Sequence, residues 1–176
     1  MKRKDAFRKL RVICQRLDEV DPEQFFVIPL RLYLFGSLLT NKPNPSDLDL
    51  LFEYRDRPDK DPYDIVYRLS YGKPLPHDQA VKYLRQGMKM IRIEFLDEEI
   101  KEWLKGHLFS PDTPVRLVWE PGLDWRPIID EIEVNPLVWD AALEKRNKEL
   151  QETARQIAQE QGMLAAEEWL KKQVEP

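Results

Sequence analysis

Leu34-Phe35-Gly36-Ser37, followed about ten residues later by Ser46-Asp47-Leu48-Asp49-Leu50-Leu51-Phe52, is the stretch on which the reading of this chain turns. The run Pro29-Leu-Arg-Leu-Tyr-Leu-Phe-Gly36 predicts a buried strand that ends in a tight turn, because glycine closes an apolar alternating segment. Leu38 to Asn41 suits one helical turn, and Pro43 and Pro45 forbid its continuation. A second strand then starts at Ser46. Side chains alternate along a strand, so Asp47 and Asp49 share one face while Leu48 and Leu50 enter the core. A glycine at the strand end lets the backbone approach a phosphate closely, and Ser37 adds a hydroxyl and opens a turn with free N–H groups. Two carboxylates on one face repel each other unless a cation neutralises them, and hard oxygen ligands at this spacing suit Mg²⁺ or Mn²⁺.

This string resembles the signature of the nucleotidyltransferase superfamily that includes DNA polymerase beta, the nucleotide-adding antibiotic-resistance enzymes and the minimal nucleotidyltransferases, to which it is closest. The direct match covers about twenty residues, and the order of strands and helices extends it loosely from Leu30 to Glu94. The resemblance implies that Asp47 and Asp49 hold the metal and that Gly36 and Ser37 hold a nucleoside triphosphate. It also implies a third carboxylate from a later strand, for which Glu94 is the candidate, since it lies on the polar face of the Lys89–Leu96 segment. Lys89 and Arg92 are candidates to neutralise the triphosphate, together with Lys82 and Arg85. Arg92 stands two positions before Glu94 on the same face, where it either binds phosphate or pairs with Glu94. The chain departs from smaller relatives after the turn, with Leu38, Leu39, Thr40 and Asn41 in place of an arginine and a second glycine.

The implied activity is metal-dependent transfer of a nucleoside monophosphate, AMP from ATP, to a hydroxyl of a protein, an RNA end or a small molecule. The competing expectation is a catalytically inactive relative that serves as a binding module or an antitoxin-like partner. A magnesium-dependent phosphohydrolase with Asp47 as nucleophile leaves Gly36-Ser37 without a role.

The rest of the chain frames this site. Phe7, Leu10, Val12, Ile13 and Leu17 predict a first helix from Asp5 to Leu17. Two helices are expected between Asp61 and Arg85, divided at Gly72 and Pro76, the first amphipathic through Ile65, Val66 and Leu69. Lys89–Leu96 alternates as a third strand with Ile91, Ile93 and Phe95 on one face. Asp97–Lys105 reads as helix, and Val115–Trp119 as a fourth strand. The expected fold is α/β (α+β), a small mixed sheet with helices packed on it over residues 1–135, followed by a C-terminal helical extension over 136–176. In that extension Leu143, Leu150, Ile157 and Leu164 recur every seven residues, which leaves homo-oligomerisation through the C-terminal helix open, although Gly162 interrupts.

With 176 residues, 42% hydrophobic content and a net charge of -4, the chain suits one sizeable core and no general binding to DNA or anionic membranes. The single cysteine, Cys14, implies no disulfide framework and reads as core, so a cytoplasmic location is expected. No apolar run is long enough to cross a membrane, and Met1-Lys2-Arg3-Lys4 is not followed by an apolar signal core. His77 and His107 lack metal-ligand spacing and read as surface histidines. Glu53 reads as surface charge, and the tryptophans as packing residues, with Trp119 and Trp125 as candidates to border a pocket.

Overall fold

A computed structural model describes residues 1–21, 23–57, 62–96, 115–138 and 141–174. Helix α1 spans Arg3–Glu19, β1 Ile28–Phe35, a 3₁₀ turn Gly36–Leu39, and β2 Leu48–Arg55. After these come α2 (Pro62–Ser70), α3 (Pro76–Arg85), β3 (Ile91–Phe95), β4 (Val115–Trp119), α4 (Arg126–Val134), α5 (Ala141–Gln161) and α6 (Met163–Val174). The chain divides into two compact units, Met1–Val138 and Trp139–Pro176.

The first unit is mixed α/β, as expected. Its sheet runs β3-β2-β1-β4, with β1 antiparallel to both β2 and β4, and β2 parallel to β3. Strand alternation sorts the side chains. Leu32 and Leu34 of β1, Leu48, Leu50 and Phe52 of β2, and Ile91 of β3 join the main core with Phe7, Leu10 and Ile13 of α1. Ala80 and Leu84 of α3 and Ile129 and Ile132 of α4 complete it. Burying each of the larger side chains contributes about 1.5–3 kcal/mol, so this one face supplies most of the drive to fold. The other face carries Tyr33, Phe35 and Leu51 in a small second cluster with Leu96, and it also presents the carboxylates.

Local chemistry accounts for the element ends. Pro76 opens α3, where the Asp78 carboxylate accepts a hydrogen bond from the Leu75 N–H at 3.1 Å. Gly72 and Pro74 separate α2 from α3. The expectation that α2 packs through its apolar face is corrected: Val66 and Leu69 are 60% and 63% exposed, and Tyr67 and Tyr71 also face solvent. Helix α4 escaped the sequence reading, because Pro127 and the tryptophan before it resemble a loop. Its Ile129 and Ile132 are nonetheless core.

Trp119 and Trp125 are buried, and both indole N–H groups donate to Asp18 at the end of α1, each at 2.7 Å. Cys14 is buried in the core, where loss of solvent pushes its thiol well above the ordinary range and leaves it unreactive. His77 is partly buried rather than a free surface group, with its ring edge-on to Phe95 at 4.6 Å.

In the second unit the heptad-spaced pattern does not make one uninterrupted helix: α5 ends and α6 begins at Gly162, which adopts φ 93°. Leu164 is 77% exposed. The predicted helix at Asp97–Lys105, and His107, lie outside the described residues. Among those described, no helix is long and apolar enough to cross a membrane.

Candidate nucleotide and metal site

The site grows from the junction of β1 with its turn. Gly36 takes φ 75°, a backbone that favours glycine, and Leu38 and Leu39 bury themselves beneath the turn. The return to β2 is tied down at several points. Thr40 donates to the Ser37 carbonyl through both its N–H (3.3 Å) and its hydroxyl (2.9 Å). Asn41 N–H donates to Leu137 O at 2.8 Å, and Leu137 N–H to Leu39 O at 2.9 Å. Arg3 donates to Thr40 O, and the Met1 ammonium to Pro45 O at 2.9 Å. A loop held from so many sides delivers Asp47 to the start of β2 in a defined position.

Asp49 comes to this turn, with Asp47 near enough for its charge to act on it. Asp49 stands opposite Phe35 in the β1–β2 ladder, and a methyl group added at Gly36 would lie 3.0 Å from Asp49 Oδ2. The carboxylate therefore lies against the glycine's open side. Desolvation, followed by the charge of Asp47, pushes the Asp49 carboxyl up to about 6, while Arg92 opposes the shift. Asp47 Oδ1 accepts a hydrogen bond from Ser46 Oγ at 2.5 Å. Ser37 Oγ is buried and has no hydrogen-bond partner among the described residues, an arrangement that costs about 1–3 kcal/mol.

The remaining residues of the expected set do not all lie at this end of the sheet. Arg92 neighbours Asp49 across the parallel β2–β3 pair, and its charge acts on both Asp49 and Asp47. Glu94 neighbours Leu51, one pleat further along, and its Oε1 accepts from Arg92 Nε at 2.5 Å. Among the described residues no three acidic, histidine or cysteine side chains come together as a ligand set. The pair is thus Asp47 and Asp49, with Glu94 engaged by Arg92. Lys89 is exposed just before β3, and its carbonyl accepts from Lys9 Nζ at 2.5 Å.

Lys82 does not belong to this end of the molecule. It lines a cavity with Phe26, which precedes the start of β1. About 20 Å of strand separate that start from Phe35, at the usual rise per residue. Glu53 is corrected as well: it is buried, 5% exposed, under Tyr33, whose hydroxyl lies 3.4 Å from its Oε2, and Arg31 at 3.5 Å. Its parity with Asp49 was legible in the sequence, but the cover that Tyr33 and Arg31 provide comes from the β1–β2 register.

The donor set fits a hard divalent cation. Both converging groups are carboxylates, their mutual repulsion is one cause of the raised Asp49 pKa, and a cation between them would relieve it. The Ser37 hydroxyl, which has no hydrogen-bond partner among the described residues, fits a phosphate oxygen in the same way. Comparison of the chain with models of known protein families and with curated proteins finds no match.

Proposed function

We propose that the protein is a metal-dependent nucleotidyltransferase that moves a nucleoside monophosphate, AMP from ATP, to a hydroxyl of a protein, an RNA end or a small molecule. The observation that carries this reading is the Gly36-Ser37 turn abutting the Asp49 carboxylate, which burial and the charge of Asp47 push up, in a turn whose buried Ser37 hydroxyl has no partner among the described residues. A simple acidic surface cluster would account for neither the positive φ at Gly36 nor the orphaned serine.

Asp47 and Asp49 would hold Mg²⁺ or Mn²⁺, whose charge stabilises the entering and leaving oxygens of an in-line displacement at the α-phosphate. The Gly36-Ser37 turn lies against the Asp49 carboxylate, so a triphosphate held by the metal would meet the turn there, and the Ser37 hydroxyl would supply it a hydrogen bond. Arg92, 64% exposed, is within electrostatic reach of both aspartates and turns toward phosphate when its pairing with Glu94 is exchanged for a charge-assisted bond to the ligand. Glu94, once released, accepts the proton of the attacking hydroxyl. The products are pyrophosphate and the adenylylated acceptor.

The Arg92–Glu94 pair also favours a second reading, a non-catalytic relative in which the third carboxylate stays silenced and the fold acts as a binding module. Incubation of the full chain with α-labelled ATP, Mg²⁺ and a cell extract separates the two. Label on a single acceptor that vanishes with Asp47→Asn, Asp49→Asn supports transfer, and label on nothing supports the module.

A further inference from the structure

A second cavity, of about 530 Å³, opens between α2 and α3 beside the segment that leads into β1. It is far from the acidic pair, at the other end of β1, and its lining has the opposite charge. Arg68, Lys73 and Lys82 all line it, and among the described residues no carboxylate does. Lys73 and Lys82 bring two like charges to one concavity, which gain by sharing an anion. The volume falls in the range of small-molecule sites.

One wall is aromatic. Phe26 and Tyr83 line the cavity, and the buried Phe25 joins them from behind, its ring 5.4 Å from Phe26 and 5.5 Å from Tyr83. The rim is braced rather than loose. Arg16 of α1 donates to the carbonyls of Tyr83 (3.3 Å), Leu84 (2.7 Å) and Gln86 (3.1 Å), which fixes the end of α3. Arg68 donates to Pro74 O at 3.1 Å, and Lys73 sits over the Tyr67 ring at 4.7 Å. Gln79 and Gln86 add amides that accept or donate.

We propose that this cavity binds a small phosphorylated ligand with a planar ring, of the nucleoside monophosphate class. Its phosphate lies between Lys73 and Lys82, and its ring lies against Phe26 and Tyr83. The site is independent of Asp47 and Asp49.

Calorimetric titration of the full chain with AMP in the presence of a chelator, which removes any metal-dependent binding at the acidic pair, tests the assignment. AMP binds, Lys73→Ala with Lys82→Ala weakens it about tenfold or more, and Asp47→Asn with Asp49→Asn leaves it unchanged. Inorganic phosphate and adenosine, titrated separately, each bind more weakly than AMP. No AMP binding, AMP binding indifferent to the lysine pair, loss of binding in the aspartate variant, or phosphate binding as tightly as AMP would each overturn the inference.

Discussion

Asp49 Oδ2 stands where a β-carbon on Gly36 would reach it at 3.0 Å, so the turn and the carboxylate occupy adjoining space that only glycine leaves open. Gly36→Ala meets two penalties, the positive φ and the crowded oxygen. The expected loss is about 1–2 kcal/mol in a denaturant melt. Asp49→Ala removes the oxygen, so the double variant should lose less than the sum of the single effects. Strict additivity would mean that the two residues do not share space.

The raised Asp49 pKa makes a signed prediction. In the unfolded chain this carboxyl titrates near the usual 3.8, and in the fold at about 6, chiefly through desolvation and then through Asp47. Between those values the folded protein binds more protons, so stability falls as pH rises from about 4 to about 6. Solvent reaches this half-buried carboxylate and screens it, so the contribution is well below what the shift alone would give. Asp49→Asn should therefore raise Tm at pH 7 in metal-free buffer and leave it little changed at pH 4. A variant less stable at pH 7 would contradict the electrostatic account.

Arg92→Ala should leave the fold almost intact, because its pair with Glu94 is exposed and such pairs contribute about 0–1 kcal/mol. It removes a cation beside the aspartates and frees Glu94. Mn²⁺ binding, followed by titration calorimetry, should tighten several-fold, on the order of 1 kcal/mol, while ATP binding weakens. Unchanged Mn²⁺ affinity would place Arg92 outside the electrostatic field of the pair.

Asp18 tests the architecture rather than the site. It accepts from two buried indoles, so Asp18→Ala strands both N–H groups and should cost about 2–4 kcal/mol in an equilibrium melt. A loss below about 0.5 kcal/mol, the size of an ordinary surface change, would count against that pair of hydrogen bonds.

How much of this was legible in sequence depended on whether one strand's periodicity or a tertiary meeting was at stake. Leu48 and Leu50 inward, with Asp47 and Asp49 outward, follows from alternation and a single glycine, and the register against β1 then brings Asp49 to Gly36. The burial of Glu53 depends on Tyr33 and Arg31 across the ladder, which no local pattern encodes. Lys82 looked like a partner for phosphate at the acidic end because it precedes β3 in the chain. Packing of α3 instead turns it toward Phe26. The exposed Val66 and Leu69 show the limit of periodicity: a helical apolar stripe predicts a face but not what covers it.

The most direct test of the central claim is the melting temperature of the full chain with Mg²⁺ and a non-hydrolysable ATP analogue, compared between the native sequence and Asp47→Asn, Asp49→Asn. A ligand bound only by the folded state stabilises it by about 2.7 kcal/mol at a hundredfold excess over Kd. The account predicts a rise for the native chain that needs both metal and nucleotide and is absent from the double variant. An equal rise in both proteins, or none in the native one, would contradict it.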